Sequence, residues 1–279
     1  DLLGKTDFDI FQDEHAELAK QDEAEIIKNR TSIINKIEKE IWHDGKITWA
    51  TTTKVPLIDE NNNVYGTFGI TRDITSLKKA EDIKDALFKI STAVTSQNNI
   101  NVLYAFIHQV VSELMRADNF YIALYHKETE TVSFPYFVDL VDEPPEERKA
   151  GNGLTEYILR SGKAHLIDAE MDIKLRELGE TSLIGEPTQI WLGVPLKVEG
   201  NTIGAIVVQD YSDATTYGEE EKDILIYVSE QIALAIDKKR NEQKIIEYSE
   251  ELKETNASKD KFFSIIAHDL KSPFHGLLG

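Results

Sequence analysis

Ile190-Trp191-Leu192-Gly193-Val194-Pro195-Leu196-Lys197-Val198 and Thr202-Ile203-Gly204-Ala205-Ile206-Val207-Val208-Gln209 stand on either side of the short polar stretch Glu199-Gly200-Asn201. Both arms are rich in apolar and β-branched residues, and a short connection with glycine at its centre joins antiparallel neighbours, so the segment predicts a buried hairpin. Upstream, Gly153-Leu154-Thr155-Glu156-Tyr157-Ile158-Leu159-Arg160-Ser161-Gly162 reads as a short helix closed by its last glycine. Asn119 to Tyr125 alternates as a strand, and Thr131 to Asp139 is its expected partner. Two amphipathic helices precede them, at about 82–95 and 100–116, the second with Leu103, Phe106, Ile107, Val110, Val111 and Leu114 at core-facing spacing. Downstream, Glu219-Glu220-Glu221 places carboxylates in a first helical turn, where the macrodipole favours them. Ile224, Leu225, Tyr227, Val228, Ile232, Leu234 and Ala235 then give that helix its apolar content. Sheets with helices packed on them, rather than alternating β-α units, make the fold class α+β.

The front of the chain repeats the theme on a smaller scale. Trp42-His43-Asp44-Gly45-Lys46-Ile47-Thr48-Trp49 is a strand signal broken by an Asp-Gly turn, and Thr51 to Leu57 continues it. Asp59 to Asn63 make a polar loop, Val64 to Thr71 form another strand, and Arg72-Asp73-Ile74-Thr75 lead into a helix. In order and spacing, 1–81 resembles the C-terminal two-thirds of a PAS domain, with the first strands of that fold expected before Asp1, and 82–237 resembles a GAF domain. The PAS resemblance implies that Asp73 ties the last strand to the outgoing helix; a simple helix cap is the local alternative. Both families are sensory, and both imply a pocket for a small molecule. The sequence does not name that ligand. His15, His43, His108, His126 and His165 are candidate haem ligands, but a lone histidine without a haem signature is more often structural. The cyclic-nucleotide signature of GAF domains is not present in order, and Asp142-Glu143-Pro144-Pro145 reads as an acidic surface loop.

Charge and composition narrow the partners. The chain has 279 residues, 41% hydrophobic, with a net charge of −19 that disfavours nucleic acid and anionic membrane surfaces. Its mean hydropathy of −0.34 and the lack of any apolar run near the ~20 residues needed to cross a bilayer predict a cytoplasmic chain without a membrane span. Zero cysteines exclude disulfides, cysteine-ligated clusters, flavin–cysteine adducts and thioether-linked bilins. No metal site is expected.

From Lys238 to Lys261 charges of both signs alternate, while Ile245, Ser249, Leu252, Asn256, Lys259, Phe263, Ile266 and Leu270 keep a 4-3-4-3 spacing. A weak coiled coil is predicted, with a solvated single helix as the alternative. The chain then reads Phe262-Phe263-Ser264-Ile265-Ile266-Ala267-His268-Asp269-Leu270-Lys271-Ser272-Pro273-Phe274. Phe263, Ile266 and Leu270 form an apolar seam from which His268 and Asp269 fall away toward solvent. This stretch resembles the H-box of a sensor histidine kinase of a two-component system. The resemblance implies that His268 is the phosphoacceptor and that Asp269 fixes the imidazole tautomer. Ser272, where the family often has Thr or Asn, is implied to serve hydrolysis of the partner's aspartyl phosphate, and that phosphatase role stays open. Pro273 predicts a bend, and His275 has no implied role.

The domain reading is therefore 1–81 PAS, N-terminally incomplete, 82–237 GAF, and 238–279 signalling helix with the first part of the HisKA dimerisation and phosphoacceptor domain. An ATP-binding domain with its Asn-rich box is expected beyond Gly279. ATP and Mg would bind there, because this chain carries no phosphate-cradling Gly-rich loop. The implied partners are a second copy of the chain and the receiver domain of a response regulator. The reading from another class is a non-catalytic module in which PAS or GAF binds a small molecule and the terminal helix docks a partner.

Overall fold

The computed structural model describes residues 3–96 and 99–275, with side chains up to 264 and that of Ile266. It divides into two compact units, meeting in sequence between Lys84 and Asp85.

The first unit is an antiparallel three-stranded sheet in the order β1 (Ile33–Ile41), β2 (Ile47–Ile58), β3 (Val64–Asp73), preceded by α1 (Asp13–Asn29). The Asp-Gly signal is a turn between strands: Trp42 N donates to Lys46 O and Gly45 N to Trp42 O, with Gly45 at φ +84°. The arm before it, Ile-Ile-Asn-Lys-Ile-Glu-Lys-Glu-Ile, is β1, which the sequence reading did not assign. Asp59 holds its loop by accepting from Asn61 N at 2.9 Å and Asn63 N at 2.7 Å. Asp73 accepts from Thr75 N at 2.8 Å, and Trp49 N donates to Thr75 Oγ1 at 2.9 Å, so the exit from β3 is fastened to β2 as well as capped. Those Thr75 hydrogen bonds hold the Asp73 carboxyl below its usual range.

α2 (Thr75–Ser96) is one helix, with no break near residue 82. From Asp85 onward the second unit adds α3 (Ile100–Leu114), β4 (Phe120–His126), β5 (Thr131–Val138), β6 (Arg148–Lys149), α4 (Leu154–Ser161), β7 (His165–Asp168), α5 (Ala169–Glu177), β8 (Ile190–Val198), β9 (Asn201–Asp210) and α6 (Glu219–His275). Its six strands are all antiparallel, in the order β6-β5-β4-β9-β8-β7. The hairpin turn is tighter than the sequence suggested. Asn201 already pairs with Val198, which leaves Glu199 (φ 50°) and Gly200 (φ 80°) to reverse the chain.

The three central strands are covered on both faces, which explains their continuous apolar composition. Phe120, Ile122 and Leu124 of β4, Leu192, Val194 and Leu196 of β8 and Ile206 and Val208 of β9 pack under α2, α3 and α6. The intervening Tyr121, Ala123, Trp191, Ala205 and Val207 face the other way, against Ile158 of α4, Ile167 of β7 and Leu175 of α5. Two cross-strand rows hold the layer under the helices in register, Phe120 and Leu192 both opposite Val208, and Ile122 and Val194 both opposite Ile206.

α6 packs on this sheet through Leu225, Val228, Ile232, Ala233, Ala235 and Ile236. Tyr227 and Leu234, part of its apolar content, are 66% and 49% exposed, because at about 100° per residue they fall on the side away from Ile232.

Asp210 closes the core at the end of β9. It accepts from Ser212 N and Ser212 Oγ at 2.8 Å, from Asp213 N at 3.0 Å and from Thr216 Oγ1 at 2.8 Å, and it pairs with Arg116 Nη1 at 3.0 Å. Burial raises its pKa, but the donors outweigh burial and hold it at about 2. A carboxyl depressed in this way stabilises the fold above its unfolded value near 3.9 and loses that contribution as pH falls toward 2. Between pH 5 and pH 2.5, denaturant unfolding of the wild type should therefore lose about 2 kcal/mol more than unfolding of Asp210→Asn. Equal losses would show that Asp210 is ordinary in the folded state.

Candidate functional site

A cavity of about 220 Å³ lies within the second unit, on the face of the sheet opposite α6. Its floor is aromatic. Tyr121 of β4 stacks on Phe137 of β5 with ring centres 5.3 Å apart, Phe134 stands 5.9 Å from Tyr121, and Trp191 of β8 is 2% exposed. The Tyr121 hydroxyl meets Thr155 Oγ1 at 2.9 Å, and burial pushes its pKa to about 12, so it stays a neutral hydrogen-bonding group.

The wall comes from α4, β6 and the loops before β8. Glu156, 1% exposed, accepts from Arg148 Nη2 at 2.9 Å, and the Arg148 guanidinium lies 5.0 Å from the Phe134 ring centre. This pair is incomplete: among the described residues, Glu156 Oε2 and Arg148 Nη1 are buried with no hydrogen-bond partner. Gly153, just before α4, leaves room there, since a Cβ on it would lie 2.7 Å from Glu156 Oε2 and 2.8 Å from Ile184 Cδ1. Asp172 of α5, paired with Arg176 at 3.1 Å, also lines the space.

At the mouth, Tyr211 OH lies 3.0 Å from both Asp139 Oδ1 and Asp142 Oδ2, and Gln209 Nε2 donates to Asp139 Oδ2 at 2.7 Å. Burial, and then these two carboxylates, push the Tyr211 pKa up. Asp142 also receives Glu186 N at 3.1 Å. The segment expected to be an acidic surface loop is therefore, through Asp142, a built edge of the cavity. Asp142 and Glu143 line it together with Glu186.

The five histidines have protein partners or packing. His108 sits between Tyr136 OH (3.0 Å) and Ala117 O (2.7 Å), stacked on Phe120; His126 meets Ser133 Oγ at 2.8 Å, His165 meets Ser161 Oγ at 3.3 Å, and His43 meets Phe8 O at 3.2 Å. His15 is buried against Phe11. Among the described residues there is no group of His, Cys, Asp and Glu that could hold a metal ion, and no helix long and apolar enough to cross a membrane.

His268, Asp269, Ser272 and His275 lie on the α6 backbone, and their side chains fall outside the described residues. Of the cavity residues, the sequence reading named Asp142 only as part of an acidic surface loop and Glu156 only as part of the 153–162 helix, and it did not name Arg148.

An antiparallel sheet with two helix-covered faces and a cavity beside a short helix defines a sensory α+β domain. Residues 97–237 match the GAF domain family, and the chain belongs to it; residues 1–79 match the PAS fold. Among solved structures, the GAF domain of a phosphoenolpyruvate-protein phosphotransferase from Coxiella burnetii is similar at 16% identity and a TM-score of 0.49, over 59% of this chain and 98% of that one. A free methionine-R-sulfoxide reductase from Neisseria meningitidis, solved with its substrate, is similar at 15% and 0.47, over 59% and 93%. Residues 122 to 287 of a methyl-accepting chemotaxis protein are similar at 15% and 0.45, over 53% and 94%. No curated protein matches the chain in sequence.

Trp191 reports on this cavity. A Cβ at Gly193 would run into its indole and come within 3.0 Å of Ile158 Cγ1. Gly193→Ala should therefore move the ring, shifting Trp191 emission in a background lacking Trp42 and Trp49, and lower unfolding stability by about 1–3 kcal/mol. Unchanged emission and stability would mean that the indole has free space.

Proposed function

We propose that the chain is the sensory and phosphoacceptor region of a two-component sensor histidine kinase. In this reading a small molecule enters the GAF cavity, α6 carries the change along its length, and His268 accepts the γ-phosphoryl group of ATP from an ATP-binding domain. The phosphoryl group then passes to an aspartate on a response regulator. Asp269 orients the imidazole, and Ser272 stands one turn further along for hydrolysis.

The observation that carries this reading is the exposed stripe on α6. Tyr227, Leu234, Asn241, Ile245, Tyr248, Leu252, Thr255, Lys259, Phe262 and Ile266 fall on heptad positions of one unbroken helix, and where the helix lies on the sheet Tyr227 and Leu234 are on its outer side. Ile245 and Tyr248 are each 68% exposed. The expected seam shares Ile245, Leu252, Lys259 and Ile266 with it and differs in its other half. A parallel pair of α6 helices in a homodimer would cover the stripe and bring two copies of His268 together. The same cavity and helix also suit a non-catalytic module that binds a small molecule and docks a partner, and phosphotransfer separates the two.

Incubated with labelled ATP and a matching ATP-binding domain in trans, the chain should gain acid-labile label that His268→Gln abolishes and His275→Gln leaves intact. Label that survives His268→Gln, or no label on the wild type, would favour the non-catalytic module. Asp269→Asn should cut labelling by ~100-fold at an unchanged melting temperature; wild-type labelling would make Asp269 a solvated neighbour.

Each large side chain fully buried along the stripe contributes about 1.5–3 kcal/mol. The double substitution Ile245→Asp with Leu252→Asp should therefore convert a dimer to monomer in sedimentation, and an unchanged dimer would locate the interface elsewhere.

A further inference from the structure

We infer that the GAF cavity is built for a small organic ammonium ion with an apolar body and a hydrogen-bond acceptor beside its nitrogen. This inference rests on the reading of the cavity as the ligand site.

The first observation is the orphaned carboxylate oxygen. Glu156 is 1% exposed; Oε1 is engaged by Arg148 Nη2, while Oε2 has no partner among the described residues. A buried acceptor left in this state is costly unless something donates to it. Oε2 borders the bare Cα of Gly153, and both Gly153 and its neighbour Ile184 line the cavity, so the orphaned oxygen sits directly behind the cavity wall. Arg148 Nη1, equally buried and unpartnered, is a donor waiting for an oxygen.

The second observation is the charge around the space. Asp142, Glu143, Glu156, Asp172 and Glu186 line it; among the described lining residues the one cation is Arg148, committed to Glu156, and behind the lining Arg176 pairs with Asp172, which leaves Asp142, Glu143 and Glu186 without a cationic partner there. Carboxylates around a low-dielectric cleft concentrate cations and repel anions. The third is the aromatic floor of Tyr121, Phe134, Phe137 and Trp191, which takes an apolar body and has π-faces that attract positive charge. An ammonium group at Glu156 Oε2, an oxygen at Arg148 Nη1 and a ring or aliphatic chain on the floor satisfy all three together. A space of about 220 Å³ limits such a guest to roughly one ring.

Three compounds of the same skeleton separate the charge classes: phenylalaninol, 3-phenylpropan-1-ol and 3-phenylpropionate. By titration calorimetry and thermal shift on the full 279-residue chain, phenylalaninol should bind at least tenfold more tightly than the other two. Glu156→Gln should weaken phenylalaninol at least tenfold. Gly153→Ala, which fills the space beside Oε2 while keeping the carboxylate, should do the same, so a folding defect in one variant leaves the other to decide. Failure of phenylalaninol to bind, equal or tighter binding of the alcohol or the anion, or undiminished binding in both variants would overturn the inference. If the alcohol or anion saturates the cavity, the cation is lost while the reading of the cavity as a ligand site stands.

Discussion

The constraint on which the second unit depends is that the β4-β9-β8 core of its sheet is buried on both faces. An antiparallel sheet that shows one face to water reads as alternation; the hairpin arms β8 and β9 do not, because alternate side chains enter two different apolar layers. A register slip of one residue would exchange Phe120, Leu192 and Val208 for Tyr121, Trp191 and Val207. That would put the Tyr121 hydroxyl and the Trp191 indole under the helices and Phe120, Leu192 and Val208 in the cavity wall. The pairing of Phe120 and Leu192 with Val208 therefore fixes which residues become core and which become site.

The two layers differ in purpose as well as content. Under α2, α3 and α6 the packing is apolar and closed. On the other face, α4 and α5 are short, and β6 has only two residues. Loops and carboxylates complete that layer, and its polar groups are satisfied at the mouth but not at Glu156 Oε2. A buried acceptor without a partner calls for an explanation, and among the described residues nothing at Glu156 Oε2 supplies one.

Much of the fold was legible where one physical signal dominated. The central hairpin, the β4–β5 pair and the Gly162-capped α4 follow from composition and turn chemistry, and Gly162 takes the left-handed φ of 59° that a helix-ending glycine supplies. α1 and β1 were not read, because charged residues interrupt their apolar content and tertiary pairing decides between helix and strand there. Composition placed Tyr227 and Leu234 among the apolar residues of α6 without telling which side of the helix meets the sheet. The cavity was legible only as the small-molecule pocket that the family resemblance implies. Its chemistry lies in two atoms, Oε2 of Glu156 and Nη1 of Arg148, and in an Asp142 contact to Glu186 more than forty residues along the chain. No local pattern carries that information.

α6 carries two apolar sides, one held and one free. Leu225, Val228, Ile232, Ala235 and Ile236 are packed in the domain core, while the exposed stripe continues on heptad positions past the end of the domain. A helix that pairs along a heptad seam overwinds, by about 20° per heptad relative to the straight form. Pairing at Tyr248, Leu252 and Phe262 would thus load a torque into the helix, and its only anchorage in the described unit is the packed segment at the sheet. Any guest that tightens or loosens the sheet changes how much of that torque the anchorage resists, so α6 can behave as a wound spring with its stop in the domain core.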